Sequence, residues 1–273
     1  MSHAIDLNAY LQRIGYGGRV EADLATLRAL ATAHVAAIPF ENLDPLLGVP
    51  VSLEPAAVER KLVHDGRGGY CFEQNRLFLE ALKAIGFDVS GLIARVLWLL
   101  PEDAPSAQTH MLLRIELDGA SWLADVGFGS MALSGALRLQ PEVQQPTGNE
   151  PFRLLNHGAD WRMQSLVRDE WKTLYRFDLQ PRLDIDYVVA NHYTSTFPGS
   201  HFLHGLIAAR TLADRRIGLR NREFAVHPTG GESVRRTLHG VDEIKQVLQE
   251  QFGIRLPAHA ELDRRLEALP TPA

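Results

Sequence analysis

The chain has 273 residues, 45% hydrophobic and 22% charged, a balance ordinary for a soluble globular protein with one large domain or two to three small ones. A net charge of −5 with no long basic run speaks against nucleic-acid binding, and no stretch approaches the ~20 apolar residues of a membrane span, Val96–Leu100 being the longest apolar patch. The single cysteine excludes an intrachain disulfide and a multi-cysteine metal site; it suits a reducing cytoplasm, and Met1–Asp6 lacks the apolar core of a signal peptide.

The N-terminal part reads as helical. Asp6 can cap a helix over Leu7–Ile14 and Asp23 a second over Leu24–Ala37, where Leu24, Leu27, Leu30, Ala31, His34 and Val35 recur near helical spacing. Pro39 ends it, and Phe40 follows in a loop. Ser52–Pro55 opens another helix, with Pro55 tolerated in its first turn, and Gly66 closes it. The next is expected over Cys71–Ile85, with Leu77, Leu79, Leu82 and Ile85 as apolar positions and Gly86 as its stop.

From Phe87 the pattern turns to strands: Val89–Leu100, Met111–Leu117, Ser121–Val126, Phe152–Leu155, Trp161–Val167 and Trp171–Phe177. Short strands joined by Gly, Asp and Asn turns indicate an antiparallel sheet or small barrel. Pro101–Gln108 and Gln140–Glu150 read as surface loops, where active-site machinery often sits. Beyond Asp184 the character mixes: a helix over Asp184–Tyr193, strands Arg210–Ile217, Arg220–Val226 and Ser233–Leu238, an amphipathic helix Val241–Phe252, and a last helix or frayed tail at Glu261–Ala268.

Cys71 follows Gly68 and Gly69, which free the backbone, and it opens a helix. A thiol there faces unpaired N–H groups and the positive end of the helix dipole, and both favour the nucleophilic thiolate. On chemistry alone it is either a nucleophile or a small buried apolar residue. A thiolate nucleophile usually has a base, and the base an orienter. His110 opens a strand that turns at Asp118-Gly119, so that Leu117 pairs with Ala120 and position 110 falls opposite position 127. Asp125 then lies near the same end of the hairpin, where a carboxylate can hold the imidazole. Taken singly, His110 is a polar strand-end residue and Asp125 a turn former.

The motif Arg67-Gly68-Gly69-Tyr70-Cys71-Phe72-Glu73-Gln74-Asn75 resembles the nucleophile motif of the arylamine N-acetyltransferase family almost position for position. Thr109-His110-Met111 is similar to its histidine segment, Asp125-Val126-Gly127-Phe128-Gly129 to its aspartate segment, and Ile38-Pro39-Phe40-Glu41-Asn42-Leu43-Asp44 to its N-terminal signature. Asn191-His192-Tyr193-Thr194-Ser195-Thr196 resembles a segment near the start of its third domain, and the likeness covers roughly residues 5–255. The resemblance implies an α+β fold in three parts: a helical bundle over 1–86 carrying the nucleophile, an antiparallel β-barrel over 87–183 carrying His and Asp, and an α/β lid over 184–273. It likens the triad core to papain-like and transglutaminase proteins. It implies a catalytic triad of Cys71, His110 and Asp125, acetyl-coenzyme A as acyl donor and no metal. His192, where an aromatic residue is expected, and the loosely matching Phe197–Phe202 depart from the pattern in the acyl-donor and acceptor pockets.

Other residues carry two readings each. The turn Gly127-Phe128-Gly129-Ser130 is weak as a free-standing phosphate motif, but its place after Asp125 and the family likeness assign it, with Thr109, to coenzyme contact. Phe40 is either core or the wall of a flat-amine pocket, to which Phe202 is also assigned. Arg67 is a solvated loop arginine or, as the resemblance implies, the partner of a carboxylate such as Glu41. His201 and His204 have the spacing of a helical metal pair but no third ligand. Arg215, Arg216, Arg220 and Arg222 are a phosphate site or, more often, a solvated strand face.

The expected activity is ping-pong transfer of acetyl from acetyl-coenzyme A to arylamines and arylhydrazines, with O-acetylation of N-hydroxyarylamines alongside, by a monomer or homodimer. The Cys71 backbone N–H is a candidate oxyanion donor. The rivals are an amide synthase closing a macrocyclic polyketide, a cysteine hydrolase, and a binding protein on a dead enzyme scaffold.

Overall fold

The computed structural model describes residues 4–271. Helices α1 (Leu7–Arg13) and α2 (Leu24–Ala37) begin where Asp6 and Asp23 accept the N–H groups of Ala9 and Thr26, at 3.0 and 2.7 Å. The segment expected as a loop at Phe40 is strand β1 (Phe40–Glu41), followed by a short helix α3 (Leu43–Leu47). Helix α4 (Pro55–Glu59) runs on as a wider π turn over Arg60–His64.

Helix α5 (Cys71–Ile85) has the expected bounds. The Glu73 carboxylate folds back to accept the Tyr70 N–H at 3.1 Å, and Gly86, left-handed at φ 105°, stops the helix. The glycines before Cys71 serve close approach rather than freedom. A Cβ on Gly68 would lie 2.2 Å from the Pro39 carbonyl oxygen, because residues 39–41 lie directly against this loop. The Glu41 N–H bonds the Gly69 carbonyl at 3.1 Å, and Phe40 bridges Gly69.

Strands β2 (Asp88–Val96), β3 (Gln108–Leu117), β4 (Ala120–Ala124), β5 (Leu137–Arg138), β6 (Phe152–His157), β7 (Asp160–Val167) and β8 (Glu170–Phe177) form an antiparallel sheet ordered β5-β4-β3-β2-β8-β7-β6. The β3–β4 hairpin has the expected register, Leu117 opposite Ala120, and Asp118 and Gly119 take φ of 51° and 71°, as its two-residue turn requires. The strand expected to reach Leu100 ends at Val96; Leu99 stands at φ 61° in a turn. Residues 140–150 are not a free surface loop. Gln145 exchanges backbone bonds with Phe152 of β6 at 2.8 and 3.0 Å, while its side-chain amide takes the N–H and C=O of Arg138 on β5 at 2.8 and 2.9 Å. The two sheet edges are thus joined and the barrel nearly closes.

Helix α6 (Asp184–Thr196) leads into a second sheet, β1-β9-β10-β11-β12, whose later strands are β9 (Ile207–Thr211), β10 (Arg215–Arg220), β11 (Glu223–Pro228) and β12 (Val234–Thr237). The expected single strand Arg210–Ile217 is a hairpin turning at Leu212–Asp214, a turn with no Gly or Asn to announce it. Likewise Arg220–Val226 contains a turn, with Asn221 at φ 55°. Helices α7 (Val241–Glu250) and α8 (Leu262–Glu267) cover this sheet.

The cores cut across chain order. Leu43, Leu46 and Leu47 of α3 pack with the C-terminal sheet, and Tyr187 and Ala190 of α6 pack with the N-terminal helices. Strand β1, paired with β9 at Phe40↔Ala209, stitches the first part of the chain to the last.

Candidate active site

Cys71, His110 and Asp125 arrive from α5, β3 and the segment just after β4, and all three are buried, at 5%, 2% and 1% exposure. His110 Nε2 lies 2.7 Å from Asp125 Oδ2. The other Asp125 oxygen accepts from Asn75 Nδ2 and from the Gly127 N–H, both at 3.0 Å. The Cys71 thiol donates to the Thr109 carbonyl at 3.5 Å, and its side chain also engages the imidazole. With Nε2 committed to Asp125, Nδ1 is left for the sulfur.

Asn75 stands four residues after Cys71, on the same face of α5. Its amide also donates to the Met111 carbonyl at 2.7 Å and accepts the Val126 N–H at 3.2 Å. One side chain therefore fixes the nucleophile helix to β3 and to the segment after β4, which carry the other two groups. Asn75 received no role from the sequence alone, although its i, i+4 spacing from Cys71 is a signal that points to it. Tyr175 on β8 had no such signal. Its ring and that of Phe128 each lie 5.0 Å from His110, and its hydroxyl interacts with Asp125.

Burial by itself would hold His110 neutral, but the Asp125 charge and hydrogen bond, joined by Cys71, outweigh it and raise its pKa to about 10. Burial likewise opposes the Asp125 charge, yet His110, Asn75 and the Gly127 N–H together bring that carboxyl below its usual value. The fixed Asp125 anion thus favours the charged form of the imidazole.

Gly127 lies against the helix start. A Cβ there would meet Asn75 Nδ2 at 2.6 Å and the Cys71 Cα at 2.8 Å, so only glycine lets this turn reach the nucleophile. Gly129 stands at φ +61°, and a Cβ on it would lie 3.6 Å from the Phe40 ring; Phe128 and Gly129 are half-buried and Ser130 is exposed. On the other flank Phe202 reaches Phe40 and Tyr70, with ring centroids 6.2 and 5.7 Å apart. The Tyr70 hydroxyl bonds Asn191 of α6.

A network of buried charges braces the motif from behind. Arg67 bonds Glu41 at 2.8 Å, as expected, and also Asp44 at 2.7 Å; Lys61 bonds Asp44 and Glu73 at 2.6 and 2.7 Å. Burial opposes the charge on Arg67 and Lys61, but the carboxylates prevail and raise both.

Two clusters from the sequence resolve otherwise. His204 contacts the Pro198 carbonyl and the His201 ring lies tilted against Phe202; among the described residues no group of three or more His, Cys, Asp or Glu can hold a metal ion. Arg216 and Arg222 do not form a solvated face. Arg216 is buried, paired with Glu150, and bonds the carbonyls of Ser130 and Ala132, while Arg222 bonds the carbonyls of Leu266, Glu267 and Leu269. His192 is exposed on α6.

The N-acetyltransferase family profile matches residues 23–261. The chain belongs to the arylamine N-acetyltransferase family. It is 45% identical over 258 residues to the arylamine N-acetyltransferase of Mycolicibacterium smegmatis, covering 93% of each chain. It is 39% identical over 249 residues to the arylamine N-acetyltransferase / N-hydroxyarylamine O-acetyltransferase of Salmonella typhimurium, covering 91% of this chain and 88% of that one. Among solved structures it superposes on the Mycobacterium marinum arylamine N-acetyltransferase in complex with CoA at a TM-score of 0.93 and 41% identity, over 97% of this chain and 99% of the other. As a member of the arylamine N-acetyltransferase family the chain is an N-acetyltransferase with acetyl-coenzyme A as co-substrate. Among the described residues no helix is long and apolar enough to cross a membrane.

Proposed function

We propose that the protein acetylates arylamines and arylhydrazines by a ping-pong mechanism on Cys71, with His110 as acid–base and Asp125 as its orienter. The observation that carries this reading is the buried chain of contacts from Asp125 through His110 to Cys71. The Cys71 sulfur attacks the thioester carbonyl of acetyl-coenzyme A, with His110 Nδ1 drawing off or already holding the thiol proton. The bond from acetyl carbon to coenzyme sulfur breaks, and coenzyme A leaves with that proton. An acetyl-cysteine remains. The acceptor nitrogen then attacks the same carbonyl, His110 takes its proton, and the bond to Cys71 breaks, releasing the amide. The first step, a thiol–thioester exchange, is nearly balanced, and amide formation in the second draws the sequence forward.

Two flanks of the site suit two substrates. Phe128, Gly129 and Ser130, beside His110 and progressively exposed, are assigned with Thr109 and Gly127 to the coenzyme side. Gly127 serves that side through its backbone only, since its bare Cα faces Cys71 and Asn75. Phe40 and Phe202 are assigned to the flat acceptor, whose ring they can meet edge or face. The likeness to the Salmonella protein extends the proposal to O-acetylation of N-hydroxyarylamines.

The deciding experiment is intact-mass spectrometry with acetyl-coenzyme A alone, followed by addition of an arylamine. One acetyl group should appear, map to Cys71, and vanish as the N-acetyl product forms. Acetyl transfer that requires both substrates present together, with no acetyl-enzyme, would overturn the mechanism.

A further inference from the structure

Asn42 occupies the N-cap position of α3, yet its side chain makes no capping bond. Pro45, the third residue of that helix, has no N–H to cap, and the Leu43 N–H is already taken by Glu41 Oε2 at 2.7 Å. Helix capping therefore gives no reason for an amide at this position.

The side chain acts about 160 residues away in sequence. Its Nδ2 donates to the carbonyls of Phe202 and Gly205, at 2.8 and 2.7 Å, and its Oδ1 accepts the Ile207 N–H at 2.7 Å. Asn42 itself is wholly buried. Three of the four hydrogen bonds an Asn side chain can readily make thus fasten one segment, residues 202–207. That segment comes from the C-terminal part of the chain, but the Phe202 ring packs with the N-terminal core beside Phe40 and Tyr70. Tyr70 immediately precedes Cys71, and Phe40 lies two residues before Asn42. The far end of the segment is also held elsewhere, Leu206 by Asn221 and Ile207 by the β9–β10 ladder, but its Phe202 end is otherwise bonded only locally: Ser200 bonds Phe202 and Thr194, and His204 contacts Pro198. Asn42 supplies its bonds to the nucleophile side of the molecule.

We infer that Asn42 is a specificity-determining positioning residue: it holds the Phe202 wall at a set distance from Phe40 and Tyr70 and so sets the width of the acceptor slot. This rests on the assignment of Phe40 and Phe202 to the acceptor side. Asn42 touches neither Cys71 nor the acceptor on this reading; it acts through Phe202. The bonds are buried and come as a set, so their loss frees the Phe202–Gly205 end to shift while Leu206 and Ile207 stay anchored on β10 and its turn.

The test is a mutant cycle of Asn42→Ala, Phe202→Ala and the double variant, with arylamines of increasing ring size as acceptors. Intact mass with acetyl-coenzyme A alone reports the first half-reaction separately. Asn42→Ala should still acquire one acetyl group, while its acceptor KM rises roughly tenfold and its ranking of small against large arylamines changes. In the Phe202→Ala background, Asn42→Ala should add almost nothing, because the ring it positions is gone. Additive effects on acceptor KM, or an unchanged ranking of acceptors, would overturn the inference while leaving the ping-pong reading intact. Failure of the unmutated protein to form an acetyl-enzyme would instead remove that reading. Should Asn42→Ala not fold, Asn42→Ser keeps a donor and an acceptor and takes its place with the same two outcomes.

Discussion

His110 and Asp125 meet at 2.7 Å although no ladder pairs them. The last paired residues of their hairpin are Leu113 and Ala124, and Asp125 is the first residue to leave the sheet. Free of the ladder, it turns its carboxylate toward His110, while Asn75 and the Gly127 N–H fix its other oxygen. Everything the proposed chemistry needs from the imidazole depends on that step off the strand.

Cys71→Ala should abolish transfer from acetyl-coenzyme A and leave the fold unchanged, since the thiol is small and its hydrogen bond to Thr109 is weak. Mass spectrometry with donor should show no added acetyl group, and circular dichroism should match the parent. Turnover persisting in this variant would sink the mechanism.

Asp125→Asn preserves shape but removes the charge that raises His110. By analogy with the same change in a serine triad, kcat should fall about 10⁴-fold. Iodoacetamide labelling of Cys71 at neutral pH should slow in parallel. An unchanged labelling rate would mean that Asp125 is not coupled to the sulfur.

Gly127→Ala places a methyl group against Asn75 and Cys71. The displacement falls on the nucleophile itself, so activity should drop by two orders of magnitude or about that with acetyl-coenzyme A and p-nitrophenyl acetate alike. A loss confined to the coenzyme-dependent reaction would place the role of Gly127 in coenzyme binding instead.

His34 is buried between the Tyr10 hydroxyl at 3.0 Å and Gln74 Oε1 at 2.7 Å. Burial lowers its pKa to about 4, against the pull of Gln74 and with a small push from Arg13. Unfolded histidine takes its proton near the ordinary 6.5, so between there and 4 the unfolded chain binds more protons than the folded one. Stability therefore falls as pH drops through this window, by about 3 kcal/mol at most, and the loss levels off below it. His34→Gln should be less stable at pH 7, but its Tm should decline less steeply from pH 6.5 to 4. Parallel Tm profiles for the two proteins would rule this out.

Much of the site was readable in the chain because its signals are local. A single thiol behind two glycines, a helix from Cys71 to a left-handed Gly86, and an Asp-Gly hairpin with set register all follow from backbone preferences over a few residues. The turn at Leu212–Asp214 was missed because nothing in its residues demands a turn, and β1 because a two-residue strand has no period to read.

The residues of the chain by themselves determined the family, the helix that presents Cys71, and the hairpin that carries His110 and Asp125. Tertiary structure alone decided how these meet. Asn75 ties helix to hairpin, Gln145 joins the barrel edges, and Tyr175 closes over His110 from a strand 65 residues on. Asn42 stands at the N-cap position of α3 and bonds instead to a segment about 160 residues away. Such side chains are specified by partners that only folding brings near, and a buried amide or hydroxyl must find whatever donor or acceptor the packed core leaves beside it.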